Sequence, residues 1–334
     1  MKFCRTLLVT FLFFCSLSCA AATNGKPLQV MSWIPAYGID KSMQILTTHP
    51  FIGATLSRVG LQFWNPTIDG KSIQLAPKNE TGQSVEKRQV KQVVAWLKAR
   101  KIKVLLTVYN NSQLTKKWDW ELARRAFRDN PSEFIDALVK NVHEYGLDGV
   151  DLDLEGEGEF DSDRIAYADF VRRLGLKLRN NGKLLTVDSF HSPCANAPNM
   201  SWWSDWKDYV DTIHSMGYQD LFEASTVSFR PEGKLACEGG AAIFKYSWQL
   251  SYAERAGFRK DQILMGMPTW MAKWGEGGTG TDISSHLSDA SKLGVGVALW
   301  DLQLAAPGWR NARIWREMKA LTQLHQRKAN QRVK

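Results

Sequence analysis

The sequence predicts an α/β protein folded as a single (β/α)8 TIM barrel. Three observations carry that expectation. Eight short apolar runs recur along the chain. Amphipathic segments, apolar near i, i+3 and i+4, lie between them. No low-complexity linker, charge block or short repeat divides the whole. Eight strand-then-helix units in one uninterrupted stretch suit a closed barrel. An open doubly wound sheet is the alternative, but the glycine-rich phosphate loop that would support it does not follow the first run.

The 334 residues open on MKFCRTLLVTFLFFCSLSCAAA. Lys2 and Arg5 precede an apolar stretch from Leu7 to Leu17, and Ala20 and Ala22 form an A-x-A site. That is the pattern of a cleaved signal peptide over 1–22, which makes the mature protein secreted or periplasmic. The stretch is shorter than the roughly 20 residues a bilayer span needs. A lipid at Cys19 is another reading, against which Ser16 stands where such sites usually carry Leu. Cleavage removes three of the five cysteines and leaves Cys194 and Cys237, which an oxidising compartment allows to pair or to remain free. The formal charge falls from +9 to +7 with the loss of Lys2 and Arg5. A basic surface favours anionic partners such as cell-wall polymers and identifies no reaction.

The barrel is expected over 27–327, followed by a solvated basic tail at 328–334. Its strands are expected in LQVMSWI (28–34), ATLSRVGLQF (54–63), IKVLLTVY (102–109), LDGVDLDLE (147–155), KLLTVDSF (183–190), VDTIHSMGY (210–218), QILMGMPTW (262–270) and GVGVALWDL (294–302). SVEKRQVKQVVAWLKARK, PSEFIDALVKNVHEYG, DRIAYADFVRRLGLKLRNNG and ARIWREMKALTQLHQR carry the helical period. Gly146, Gly182 and Gly294 stand where left-handed residues would stop helices before the next strand.

LDGVDLDLE carries the chemistry. Successive strand residues face opposite ways, so Val150, Leu152 and Leu154 share one side and Asp151, Asp153 and Glu155 the other. In a closed parallel barrel the apolar set packs under the helices and the acids point inward. Confined carboxylates cannot all ionise, because desolvation and repulsion raise at least one pKa. A proton retained near neutral pH is what glycosidic cleavage requires. Two structural alternatives exist. A calcium loop would space acids by two, but its twelfth position here is Ser162 where a bidentate Glu is needed. A solvated edge strand also alternates, yet helical patterns flank this one.

YGLDGVDLDLE (145–155) resembles the D-G-x-D-x-D-x-E signature of family 18 glycoside hydrolases, which include chitinases and endo-β-N-acetylglucosaminidases. NPSEFIDALVKNVHEYG is similar to the helix that precedes that strand. MGYQ (216–219) resembles the Met-x-Tyr-Asp of the sixth strand, and ILMGMPTW and GVGVALWDL resemble the seventh and eighth. The resemblance implies a retaining glycosidase that cleaves β-1,4 bonds at N-acetylglucosamine, without metal or organic cofactor. Glu155 would protonate the leaving oxygen, and the substrate's own acetamido oxygen would attack C1. Asp153 would orient the acetamido N–H, Asp151 would share a proton or hydrogen bond with Asp153, and Tyr218 would bind the acetamido carbonyl. Trp300, Trp33 and Trp270, at strand ends, are candidate sugar platforms; Trp96 and Trp315, on helices, belong to the core. Met216, Gln219, Tyr109 and Asn110 complete the expected sugar-binding set. Asp188 lines the pocket or makes a buried structural hydrogen bond.

Three departures bear on substrate rather than chemistry: Leu154 before the acid, TVYNN (107–111) in place of a Ser-x-Gly-Gly run, and Gln219 in place of Asp. About two dozen residues separate the last two strands, too few for a large α+β insertion, so a shallow groove is expected. Chitin oligomers, the N-glycan core and peptidoglycan all fit it. The protein is expected to act as a monomer, without nucleic acid and without a membrane span. The alternative from another class is a non-catalytic lectin on the same fold, but such proteins typically lose the acid that Glu155 supplies.

Overall fold

The computed structural model describes residues 29–79, 82–111, 117–191, 196–216, 246–267, 283–302, 315–320 and 322–323. Eight parallel strands close on themselves: β1 (Val30–Pro35), β2 (Arg58–Pro66), β4 (Lys103–Tyr109), β5 (Gly149–Asp153), β6 (Leu184–Ser189), β7 (Thr212–Ser215), β8 (Ile263–Met267) and β9 (Gly296–Leu299). They pair in chain order, and β9 returns to β1 to complete the (β/α)8 barrel. Each expected apolar run holds one of them. The short antiparallel arm β3 (Ile73–Leu75), paired with the end of β2, is an addition that the sequence pattern did not announce.

The outer layer includes α1 (Ile39–Thr48), α2 (Pro50–Gly53), α3 (Lys87–Lys98), α4 (Trp120–Arg124), α5 (Pro131–Glu144), α6 (Arg164–Asn180), α7 (Tyr246–Arg255) and α8 (Ile283–Leu293). Their apolar stripes face the strands. In α5, Phe134, Ile135, Leu138, Val139 and Val142 are buried, and Pro131 stands at the start, where a missing N–H costs nothing. The main core lies between strands and helices and takes Val150 and Leu152 from β5 and Leu154 from just beyond it. Within the barrel a small apolar cluster of Met31, Trp33, Leu105, Leu264 and Ala298 leaves the remaining interior to polar side chains.

The lower rim repeats one device. Ser57, Asp148 and Asp211 each precede a strand and accept the N–H of Val30, Val104 and Leu185 at 2.9, 2.8 and 2.8 Å. The first acid of the signature, Asp148, is therefore a strand-pinning residue far from the upper rim. Gly146, Gly182 and Gly294 have φ of 63°, 65° and 75°, the left-handed geometry expected of helix stops. At the top, β5 ends at Asp153, two residues before Glu155. Glu155 thus stands on the loop just above the strand instead of forming its last residue.

Candidate active site

The barrel interior is built from polar residues at inward parity on several strands. Asp151, wholly buried, sits midway up β5. Its Oδ2 accepts the indole N–H of Trp33 at 2.8 Å and the Thr107 hydroxyl at 2.8 Å. Its Oδ1 accepts the Thr186 hydroxyl and lies 3.3 Å from His214 Nδ1. Burial acts to raise the Asp151 pKa, but His214 and the hydrogen bonds from His214, Thr186 and Trp33 outweigh it and hold this carboxyl below its ordinary value. Asp151 is a fixed anion.

Asp153, one step higher, turns toward the rim. Its Oδ2 accepts Gln62 Nε2 at 2.6 Å, and its carboxylate accepts a hydrogen bond from Glu155. Burial, only partly offset by those two bonds, pushes Asp153 up to about 7. Glu155 is half-buried at the mouth of the barrel. Burial first, then the neighbouring Asp153, raise it well above the usual carboxylate range. The two acids share a proton, with Glu155 as the donor, at the one edge of the cluster that a ligand from solvent reaches. The expected sharing between Asp151 and Asp153 is replaced by this contact.

The backbone of Glu155 is held as firmly as its carboxyl. Asn110 Oδ1 accepts the Glu155 N–H at 2.7 Å, while Asn110 Nδ2 donates to the Glu155 carbonyl at 2.8 Å and to that of Asp119 at 3.0 Å. Asn110 is fully buried, so the expected sugar contact is corrected: this side chain positions the acid. Trp33 is corrected likewise. It is 1% exposed and its N–H is on Asp151, so it is a floor residue and not an open platform. Gly60 makes that possible, since a Cβ there would lie 2.5 Å from both the Trp33 ring and Thr107 Oγ1.

Trp300 rests on Trp33, ring centroids 6.0 Å apart, and stays partly exposed at the rim. Tyr109, at the inward top of β4, is pushed up to about 12, chiefly by burial and also by Asp153, so its phenol stays protonated. Met216 follows β7 at the parity of His214 and is half-buried. Tyr218, Gln219, Trp270, Cys194 and Cys237 lie outside the described residues. Trp315 is buried as expected, and Trp96 is partly buried with the Arg100 guanidinium 3.6 Å above its ring.

Gln62, Thr107, Thr186 and His214 were not anticipated, though each is a polar residue at inward parity in an otherwise apolar run. Asp188 is buried with its Oδ1 2.7 Å from His214 Nδ1. Among the described residues, Asp151, Asp188 and His214 form the one group whose atoms could surround a cation. The direct hydrogen bond between His214 and Asp188 leaves no space for an ion between them, so the group is a hydrogen-bonded cluster.

The chain matches the family model described as glycosyl hydrolases family 18 over residues 30–331. Among solved structures, it is similar to a chitinase from Bacteroides thetaiotaomicron, with a TM-score of 0.65 and 16% identity over 89% of this chain and 96% of that one. A class V chitinase from Pseudomonas fluorescens Pf-5 gives 0.64 and 18% over 88% and 99%. The spore cortex-lytic enzyme SleL of Bacillus cereus gives 0.60 and 14% over 87% and 73%. At such identities the structures speak for the fold, and the family match speaks for descent. The barrel, its acidic fifth strand and a match running nearly from end to end agree: the chain belongs to glycosyl hydrolase family 18 and is a glycoside hydrolase.

Proposed function

We propose that this protein is an exported, retaining enzyme that cleaves β-1,4 linkages of N-acetylglucosamine-containing glycans by substrate-assisted catalysis. The observation that carries the reading is the contact between Asp153 and Glu155. A retaining enzyme with a carboxylate nucleophile keeps its two carboxyl groups about 5 Å apart, across the sugar. Here the second carboxyl is hydrogen-bonded to the first and so stands on the same side of any bound ring. Asp151 and Asp188 are buried and face His214. In this reading the nucleophile is the acetamido oxygen of the substrate. Glu155 gives its proton to the leaving oxygen. Asp153, then free to accept from the acetamido N–H, holds the charge of the cyclic intermediate. Glu155, now a base, activates the incoming water, and configuration at C1 is retained.

The raised pKa of Glu155 is what an acid requires and what a lectin does not. Glu155→Gln is expected to lower kcat on a chromogenic chitobiose or chitotriose derivative by about 10²-fold or more, with binding preserved. Equal turnover by variant and parent removes the mechanism, and a parent that binds without releasing product restores the lectin reading. Chitin oligomers, a high-mannose glycoprotein and peptidoglycan, digested side by side, assign the substrate. N-terminal sequencing of the exported protein tests cleavage after Ala22.

A further inference from the structure

Beside Asp151 lies a buried pair for which the reaction above has no use. Asp188 points inward from β6 and His214 from β7, and both are all but sealed from solvent. Ligand atoms of Asp151, Asp188 and His214 lie within 4.8 Å of one another. The ionisable groups that face them are Asp153 and Glu155 higher on the β5 side, Arg58 from β2 and the phenol of Tyr167 from α6. Trp33 of β1 meets the imidazole edge to face, centroids 5.4 Å apart at 85°. Arg58 is tied to Thr212 at 3.0 Å and to Gln29, so it does not pair with either carboxylate directly.

Two carboxylates this close in a dry interior require a proton between them. The geometry says where the protons sit. His214 Nδ1 is 2.7 Å from Asp188 Oδ1 and 3.3 Å from Asp151 Oδ1, whereas Nε2 meets no partner among the described residues. A proton on Nε2 would be a buried donor without an acceptor, which disfavours both the Nε2 tautomer and the imidazolium. The ring proton is therefore on Nδ1, donated chiefly to Asp188 at 2.7 Å and also toward Asp151 at 3.3 Å. The second proton is on Asp188, which is hydrogen-bonded to Asp151. With Trp33, Thr107, Thr186 and Asp188 as donors, Asp151 has filled the roughly four acceptor positions of a carboxylate. It has none left for a proton shared with Asp153.

We propose that Asp188 and His214 are positioning residues that hold Asp151 as a fixed, fully hydrogen-bonded anion and so confine the proton used in catalysis to Asp153 and Glu155. Burial together with Asp151, Asp153 and Glu155 raises Asp188 well above its ordinary value, and burial lowers His214, both in the sense the geometry requires. The proposal rests on the acid role given to Glu155, and its test separates the two.

In selectively ¹⁵N-histidine-labelled full-length protein, the His214 ring is expected to stay neutral with its proton on Nδ1 between about pH 5 and 8. A His214 signal that titrates to the imidazolium in that range overturns the proposal. In pH–rate profiles on the chromogenic substrate, Asp188→Asn, which keeps a donor and carries no charge, should hold kcat within about threefold and leave the basic limb in place. Asp188→Ala removes the donor, so Asp151 takes up a proton and its negative charge no longer helps to keep the proton on the Asp153–Glu155 pair. Its kcat should fall about tenfold at nearly unchanged KM, with the basic limb lower by about half a pH unit or more. A basic limb moved down by Asp188→Asn means an ionised Asp188 and overturns the proposal, as does a parental profile in a folded Asp188→Ala. If the alanine variant does not fold, the asparagine variant and the histidine spectra decide. A parent inactive on the substrate sinks the functional reading, and the spectra then judge the pair independently.

Discussion

Asn110 shows at the scale of one residue how an acid is aimed. Its amide grips both backbone groups of Glu155 and reaches the carbonyl of Asp119, whose own N–H donates to the Asn110 carbonyl at 2.9 Å. Asp119 in turn caps α4 through Leu122 N–H at 3.1 Å. The end of β4, the start of α4 and the catalytic loop are thus one hydrogen-bonded unit. Asn110→Ala should lower kcat about 10- to 100-fold with KM close to the parent, because a carboxyl displaced by a fraction of an ångström still faces bound sugar but is badly aligned. Steady-state kinetics beside a melting curve check this. A kcat equal to the parent's in a folded variant would show that the clamp does not aim the acid.

At the scale of elements, the approach of β5 to β6 decides whether the acidic strand exists at all. A Cβ on Gly149 would lie 2.2 Å from the Leu184 carbonyl oxygen, a backbone contact that no rotamer relieves. Gly149→Ala is expected to cost about 3 kcal/mol or more, read as a loss of Tm or of soluble yield. Gly182→Ala is the control: φ is 65° but a Cβ there meets nothing within 4 Å, so the cost is about 1 kcal/mol. The glycine in the signature is a packing requirement and the one at the helix end a dihedral requirement, and both were legible as glycines in a pattern. Eight strands were legible too, because each is a contiguous apolar run. The arm β3 was not, since IQL is three residues whose partner is the far end of β2.

For the whole molecule, the cluster imposes a pH-dependent cost. Burial raises Asp153 to about 7 from its ordinary value of 3.8. Between those values the unfolded chain releases a proton that the folded one keeps, so stability falls as pH rises from about 4 to 7 and levels off above. Glu155, raised in the same direction, adds to the trend. Asp153→Asn retains an acceptor for Gln62 and removes the ionisable group. It should raise stability by about 1–3 kcal/mol at pH 8, much less at pH 4, while abolishing turnover. Thermal melts of parent and variant at the two pH values test the sign; an equal gain at both would place the stabilisation elsewhere. Proteins that store such repulsion at their sites trade stability for a loaded acid.

What the sequence determined by itself is whatever depends on periodicity within one segment: eight strands, the helices between them, the inward face of β5 and the acids on it. The tertiary structure alone decided which groups meet. Barrel closure brings Trp33 of β1 to Asp151 of β5 and Gln62 of β2 to Asp153, across 118 and 91 residues of chain. Along one strand, three carboxylates look equivalent. Their partners differ across the barrel, and in a dry interior those partners fix the charges, making Asp151 an anion, Asp153 an acceptor and Glu155 the acid.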